Sequence, residues 1–285
     1  MRRVSIVPLL LATAACGQQA ESRNRAEPVR ATAEAPRASG ARPDAVARAR
    51  APSPASARSA KAVSIDDDAP LLDFHYAWPA EASAIPELAR RFRLDAERTK
   101  AAALTAAAQD RKSAQADGRE FHQHLLHRDW TIAGDSASLL SLRGSIETFT
   151  GGAHGSHGTL SLLRNRRQNR EVGIETLLAP GQSWSGAIRA PFCVLLDRER
   201  AKRRGEPVRK GDLFGDCPKA NELRLLLADG DGDRRFDHVL VVADEYVAGP
   251  YAEGRYVIPL PITAAMAARI RPELRAEFRP QPPVQ

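Results

Sequence analysis

The pattern of apolar and polar residues divides the chain into a short apolar start, a long polar stretch and a folded part that begins near Asp66. Residues 4–15 are apolar or small, whereas residues 17–64 contain almost no large apolar side chain. Such a polar stretch buries too little surface to offset the entropy of ordering. The pattern therefore predicts a folded region that follows a flexible linker.

The first half of the folded region predicts strands at residues 71–78, 121–131, 138–150 and 159–164, because apolar side chains alternate or cluster there. Between the first two strands, Pro86 suits the first turn of a helix. One face of this helix is marked by residues three to four positions apart, namely Leu88, Phe92, Ala96, Thr99 and Ala103. We expect this helix to end near Gly118.

The second half predicts a helix from about Ser183 to Arg204 and a hairpin of strands 222–228 and 236–243. A further strand is expected at 256–259, and Thr263 is expected to cap a short helix over 264–270. These elements together indicate an α+β fold with antiparallel sheets, one long N-terminal helix and two shorter helices, rather than a βαβ alternation.

The predicted organisation has five segments, of which the two folded ones are sequential α+β subdomains. They are a signal peptide (1–15), a disordered tether rich in Ala, Arg and Pro (16–65), a first α+β domain (66–170), a second α+β domain (171–272) and a Pro-rich tail (273–285).

Cys16 lies where the apolar start meets the polar linker, directly after Thr13-Ala14-Ala15. The apolar run is too short to span a membrane, which needs about twenty residues. The arrangement resembles a bacterial lipoprotein signal and implies cleavage before Cys16, acylation of that residue with chains such as palmitate, and anchoring by lipid. Thr13 stands where such signals usually have leucine, so a plain secretory signal is the alternative. No aspartate follows Cys16, which favours the outer membrane, facing the periplasm.

The chain is basic, with 42 Lys and Arg against 35 Asp and Glu, and much of the excess lies in the linker. No basic helix or aromatic-basic platform is present, so we expect no nucleic-acid partner. Once Cys16 is assigned to lipid, Cys193 and Cys217 remain as an even pair in an oxidising compartment. They predict a disulfide, with two buried thiols as the alternative.

Two groups of residues have ligand spacing for a metal, although each has a simpler explanation. Asp229, Asp231 and Asp233 resemble the opening of a calcium loop, but the later positions lack the required glycine and acid, which favours a hairpin turn. We expect His122 and His124 to share a strand face with His127 nearby, and paired imidazoles of this kind bind zinc. Solvent-facing histidines are the favoured interpretation.

Residues 151–158 concentrate four glycines and two histidines, His154 and His157. Glycine lets the backbone approach a ligand closely, and imidazoles bind metals, anions or carbonyls. A glycine-rich connection between strands explains the same residues without a ligand. The sequence has no Gly-x-Ser-x-Gly, His-Glu-x-x-His or phosphate-loop motif, which favours a protein that is not an enzyme and needs no cofactor.

Three motifs resemble a known pair of domains, DUF4163 and DUF3298, and occur in the family order. They are FHYAWPAEA at residues 74–82, FTGGAHG at 149–155 and YVAGPYAEG at 246–254. The chain is most similar to the stand-alone lipoprotein branch from proteobacteria. Relatives with such domains include an anti-sigma factor that binds lysozyme outside the cell and a peptidoglycan deacetylase whose chemistry resides in a separate domain.

The resemblance implies a non-catalytic recognition domain that faces the cell envelope and binds peptidoglycan or a lysozyme-like hydrolase. We expect Gly152, His154, Tyr251 and Glu253 to form a shared polar surface for the ligand. One alternative is a metal-assisted envelope hydrolase or deacetylase-like enzyme that uses His154 and His157 with acids such as Asp244 or Glu253. The other is a structural envelope protein without a small-molecule site.

Overall fold

The computed structural model describes residues 60–209 and 211–283, so the predicted signal, Cys16 and residues 17–59 of the tether lie outside the described part. The first strand begins at Val63, which lies inside the predicted tether, so the prediction of disorder up to residue 65 is wrong at its end. Val63 and Ile65 alternate with exposed residues and pack against the core, which explains why they are ordered.

Nine strands form two sheets in the described residues. The first sheet has the order β1 (Val63–Ala69), β2 (Leu72–Trp78), β3 (His124–Asp135), β4 (Leu139–Phe149), β5 (Ser156–Asn165) and β6 (Arg170–Glu171). The second sheet consists of β7 (Arg224–Ala228), β8 (His238–Ala243) and β9 (Tyr256–Pro261).

The described residues contain four α-helices: α1 (Ala80–Ser83), α2 (Pro86–Ala116), α3 (Trp184–Arg204) and α4 (Ala264–Ala267). Short 3₁₀ turns occupy Ile174–Leu177, Ala220–Glu222, Tyr251–Glu253 and Pro272–Glu277. No helix among the described residues is long and apolar enough to cross a membrane. The predicted α+β class, the long N-terminal helix and the Thr263 cap of α4 are confirmed. Ser183, near which the second helix was expected to begin, is the N-cap of α3.

One connection differs from the expected antiparallel arrangement, because β2 and β3 pair in parallel. The long helix α2 joins them, so the segment β2-α2-β3 is a βαβ unit. A helical crossover returns the chain to the end of the sheet where the previous strand began, and the next strand therefore runs in the same direction. The fold is α+β as expected rather than a βαβ alternation, but this segment adds one parallel pair of strands to sheets whose other strand pairs are antiparallel.

Helix α2 packs on one face of the first sheet and forms a core rich in aromatic rings. Phe92 is fully buried, with its ring centroid 5.0 Å from that of Trp130 and 5.8 Å from that of Trp78. Tyr76 accepts a hydrogen bond from Trp130 Nε1 at 3.2 Å, and burial raises the pKa of Tyr76 to about 12. This face is therefore closed to solvent by the helix.

The second core lies between helix α3 and the second sheet. Its members include Trp184 and Phe192 of α3 together with Val241 of β8. Leu139 and Leu163 of the first sheet also belong to this core, on the face opposite to α2. The second core therefore covers one end of the outer face of the first sheet and leaves the other end, towards the β4-β5 loop, accessible.

The predicted disulfide is confirmed, since Cys193 on α3 is bonded to Cys217 with a Cα–Cα distance of 5.5 Å. The neighbouring Arg200 is fully buried and donates from Nε to the Ala248 carbonyl at 2.8 Å and from Nη2 to the Asp216 carbonyl at 3.0 Å. The disulfide and this guanidinium tie two loops to helix α3.

The predicted tail (273–285) is not a free tail over its first six residues. Leu274, Glu277 and Phe278 are buried, and Phe278 forms a parallel bridge with Phe236. Glu277 accepts a hydrogen bond from the Ser138 backbone N–H at 3.1 Å. Although burial raises the pKa of Glu277, hydrogen bonds from Ser136 and Ser138 outweigh that effect and hold it below its ordinary value. This segment packs against the core because it buries Leu274 and Phe278, and because hydrogen bonds compensate the buried carboxylate of Glu277.

Candidate functional site

Four aromatic and imidazole rings gather at the accessible end of the first sheet: His154, His157, Tyr246 and Tyr251. We call them the aromatic platform. The rings of His154 and Tyr251 stack with their centroids 3.9 Å apart and their planes 22° apart. The centroid of Tyr251 lies 5.9 Å from that of His157 and 6.0 Å from that of Tyr246. Tyr246 is exposed, with 57% of its surface accessible.

The β4-β5 loop presents His154, and its glycines make this possible. Gly151 and Gly152 both have φ of +96°, a conformation that side chains disfavour. His154 then donates from Nδ1 to the Gly155 carbonyl at 2.7 Å, which leaves Nε2 to accept from the Tyr246 hydroxyl at 3.3 Å. The two hydrogen bonds are consistent with one neutral tautomer and fix the orientation of the imidazole ring.

The loop between β8 and β9 supplies the two tyrosines and is fastened to strand β5. Asp244 accepts from the Thr159 backbone N–H at 2.8 Å and from the Thr159 hydroxyl at 2.6 Å. Arg255 donates to Asp244 from the other end of the loop at 3.0 Å. These contacts fix the tyrosines beside the histidines although the two pairs are about ninety residues apart in sequence.

Glu253 does not point at the platform, which differs from the expected shared surface. Its carboxylate accepts from Arg204 Nε at 2.8 Å and Nη2 at 3.1 Å, and also from the Tyr256 hydroxyl. Burial raises the pKa of Glu253, but these donors outweigh burial and hold it below its ordinary value. A Cβ on Gly249 would overlap this carboxylate, so glycine is required there. Glu253 therefore holds the 3₁₀ turn of Tyr251 against α3.

Of the four expected surface residues, the structure brings His154 and Tyr251 into contact and places Gly152 in the same loop as His154. Sequence reasoning missed Tyr246, which lies in the third motif, and two carboxylates beside His157. Glu147 Oε1 lies 3.7 Å from His157 Nε2, and Glu245 Oε1 lies 3.6 Å from His157 Nδ1. Nothing in their local sequence marked these acids, because only strand pairing and loop docking bring them to the imidazole.

The arrangement around His157 does not form a metal centre. The two carboxylates face different nitrogen atoms of one ring, and the lone pairs of these nitrogens point in divergent directions. Across the described residues, the one group of three acids, histidines or cysteines whose ligand atoms all lie within 4.8 Å of one another is Asp229, Asp231 and Asp233. The candidates His154 and His157 are not members of it.

The three aspartates already have partners as a turn. Asp229 accepts from the backbone N–H groups of Gly232 at 2.8 Å and Arg234 at 2.9 Å, while Arg279 donates to both Asp231 and Asp233. These contacts match the hairpin-turn interpretation, in which aspartate side chains stabilise the reversal of the chain.

The histidines around β3 also fail to converge. His122 precedes the strand, and His124 is buried with Nε2 3.5 Å from an Asp110 oxygen on α2. His127 lies on the opposite face, where Nε2 is 3.0 Å from Asp73 Oδ1. Residues 124 and 127 point to opposite faces because side chains alternate along a strand. His122 lies before the strand, so the expectation that it shares a strand face with His124 is wrong.

Comparison with known proteins gives one family match, which covers residues 65–157 and is described as Deacetylase PdaC. Two crystal structures are similar to this chain. A DUF3298 family protein from Pseudomonas aeruginosa has 15% identity and a TM-score of 0.49, over 78% of this chain and 98% of that chain. A member of the same family from Bacteroides fragilis has 14% identity and a TM-score of 0.46, over 76% and 95%. No curated protein gives a match.

The family match contains the first two of the three motifs and all strands from β1 to the start of β5. It therefore confirms the resemblance to this domain family, whereas membership of the lipoprotein branch stays a prediction. Residues 65–157 of this chain are similar to the family described as Deacetylase PdaC.

Proposed function

We propose that this chain is a lipid-anchored protein of the cell envelope whose folded region recognises the glycan strands of peptidoglycan. The observation that supports this proposal is the aromatic platform, in which two tyrosines and two histidines lie together at the surface. The PdaC match also supports it, because the relatives that carry such domains include a peptidoglycan deacetylase.

Aromatic rings suit sugars because the C–H face of a pyranose ring is apolar while its hydroxyl groups are polar. A tyrosine offers an apolar ring face together with a hydroxyl that donates and accepts hydrogen bonds. Ligand sites commonly combine such rings with a few polar groups that fix orientation. At the platform the polar groups are the hydroxyl of Tyr246 and the carboxylate of Glu147, whose side chain is half exposed.

The platform is also held in place before any ligand binds. Asp244 ties the tyrosine loop to Thr159, and Glu253 ties the 3₁₀ turn of Tyr251 to Arg204. Fixed side chains lose less conformational entropy on binding, so a modest number of contacts suffices for measurable affinity. A surface that is already held in place can act by binding alone, so the proposed function requires no catalytic step.

Pull-down with purified peptidoglycan sacculi tests this proposal on the folded region. We expect the wild-type protein to be retained and Tyr246→Ala to lower the affinity about fivefold or more, since one aromatic contact contributes about 1 kcal/mol. Leu94→Ala is the matched control, because Leu94 is similarly exposed at 47% but lies on helix α2. Retention that is equal in wild type and Tyr246→Ala would refute the platform as the binding site.

The lipid anchor is a separate proposal that rests on Cys16 and its flanking residues. An anchor in the outer membrane, facing the periplasm, would place the domain within reach of peptidoglycan. We expect labelled palmitate to enter the wild-type protein and not Cys16→Ser. Unlabelled wild-type protein that is released from the membrane without detergent would contradict the anchor and favour the plain secretory signal.

A lysozyme-like hydrolase is the alternative partner, and the same pull-down with immobilised lysozyme tests it. Retention by lysozyme together with no retention by sacculi would replace the glycan with a protein partner. The alternative of a metal-assisted hydrolase receives no support from the geometry, because the acids beside His157 face different ring nitrogens.

A further inference from the structure

A row of five titratable side chains crosses the outer face of the first sheet and ends at the platform. The strand registers place Asp66 opposite His75, His75 opposite His127, His127 opposite Glu147, and Glu147 opposite His157. Neighbouring strands lie about 4.8 Å apart, so His75 and His157 are separated by about 14 Å across three strand intervals. The row is therefore a continuous extension of the proposed glycan site.

Five carboxylates contact the three histidines of this row. Asp66 and Asp129 lie 2.6 Å and 2.8 Å from the two nitrogens of His75. Asp73 contacts His127 at 3.0 Å, and His157 lies between Glu147 and Glu245. His75 and His157 are thus each contacted by two carboxylates, and we call each histidine with its two acids a trio. Each trio carries net negative charge whether its histidine is neutral or protonated.

This acidity is unusual in so basic a chain. In the described part of the structure, each of the five carboxylates forms ion pairs with histidine alone and none with lysine or arginine. Several acids elsewhere have arginine partners, as Asp95 has Arg128 and Glu253 has Arg204. The row lacks the arginine and lysine side chains that pair with such acids.

Glu245 shows the deficit most clearly. Its side chain is 11% exposed, and its Oε2 atom is buried without a hydrogen-bond partner, as is Nδ1 of His157. A carboxylate removed from water is costly unless a cation and hydrogen-bond donors compensate it. The chain supplies one imidazole at 3.6 Å for this purpose, so the group of His157, Glu147 and Glu245 is short of positive charge, and Glu147, at 50% exposure, is the member that solvent reaches.

We propose that the row binds a glycan whose sugars carry free amino groups, that is, an N-deacetylated amino-sugar chain. This inference rests on the proposed glycan recognition and specifies its ligand. Each ammonium group donates up to three hydrogen bonds and carries the positive charge that the trios lack. The sugar ring stacks on the aromatic platform while its amine faces Glu147 and Glu245, and sugars further along the chain face Asp66 and Asp129. The reaction class that supplies such a ligand is amide hydrolysis, in which water converts an N-acetyl group into an amine and acetate.

Calorimetric titration with two soluble hexamers tests this proposal, one of glucosamine and one of N-acetylglucosamine. We expect the wild-type folded region to prefer the glucosamine hexamer at least about tenfold, and the preference to weaken with added salt because screening reduces attraction between charges. The double variant Asp66→Asn/Glu147→Gln should lose most of the preference. Both side chains are at least half exposed, so the fold should tolerate the changes.

Glu97→Gln is the matched control, because Glu97 is an exposed acid on helix α2, away from the row. Equal affinity of the wild type for both hexamers, or an unchanged preference in the double variant, would overturn the amine proposal and leave glycan recognition standing. Failure of the wild type to bind either hexamer or sacculi would overturn both proposals.

Discussion

Replacement of Phe278 by alanine tests whether the C-terminal segment belongs to the core. Phe278 is 3% exposed, and its ring centroid lies 5.6 Å from that of the fully buried Phe236. Burial of such a side chain contributes up to about 3 kcal/mol, and the cavity left by truncation adds to the loss. We therefore expect Phe278→Ala to lower the free energy of unfolding by about 4 kcal/mol, a large part of the roughly 5–15 kcal/mol typical of a domain.

Urea denaturation followed by tryptophan fluorescence measures this change, with the disulfide kept oxidised. For an m-value of about 2–3 kcal/mol/M, the midpoint should fall by about 1.3–2 M. The control Pro282→Ala changes an exposed residue in the same segment and should shift stability by less than about 0.5 kcal/mol. A loss below about 1 kcal/mol for Phe278→Ala would refute the packing argument, because a ring that is already solvated costs little to remove.

Two further predictions concern charge and the disulfide. The hydrogen bond to Asp66 raises the pKa of His75 above its ordinary value, so this contribution to stability is present below about pH 6 and is lost as the pH rises through the raised pKa. The free energy of unfolding of wild type should consequently fall between about pH 6 and pH 8 relative to His75→Gln, and parallel pH profiles in urea titrations would contradict this. Removal of the disulfide by Cys193→Ala/Cys217→Ala should cost about 3 kcal/mol, because the bond closes a loop of 24 residues; an unchanged thermal midpoint would show that the loop is already ordered without it.

The spacing of apolar residues and the capping residues in the sequence determined where the helices form. Spacing of apolar residues predicted α2 from Pro86 to the neighbourhood of Gly118, and the structure ends it at Ala116. Thr263 was identifiable as a cap because a hydroxyl oxygen accepts from a backbone N–H only a few residues ahead. Such features depend on neighbours in sequence, and a sequence contains those neighbours directly.

The candidate site could be predicted from the sequence only in part. The glycines before His154 and the motif around Tyr251 predicted that both loops contribute to a site. In the structure the rings of His154 and Tyr251 stack on each other. Glu253 belongs to the same motif but serves Arg204, which no local pattern indicated. A motif names the residues of a loop, whereas tertiary packing decides which of their side chains face solvent.

Only the tertiary structure brings the histidines and acids of the row together. His75, Glu147 and His157 are separated by many residues and align because successive strands pair in particular registers. A shift of one residue in any pairing would turn its side chains to the opposite face. The parallel pairing of β2 and β3 and the docking of Phe278 on Phe236 likewise depend on contacts between distant segments. The sequence therefore determined the elements and the residues available, and long-range packing determined which charges meet on one surface.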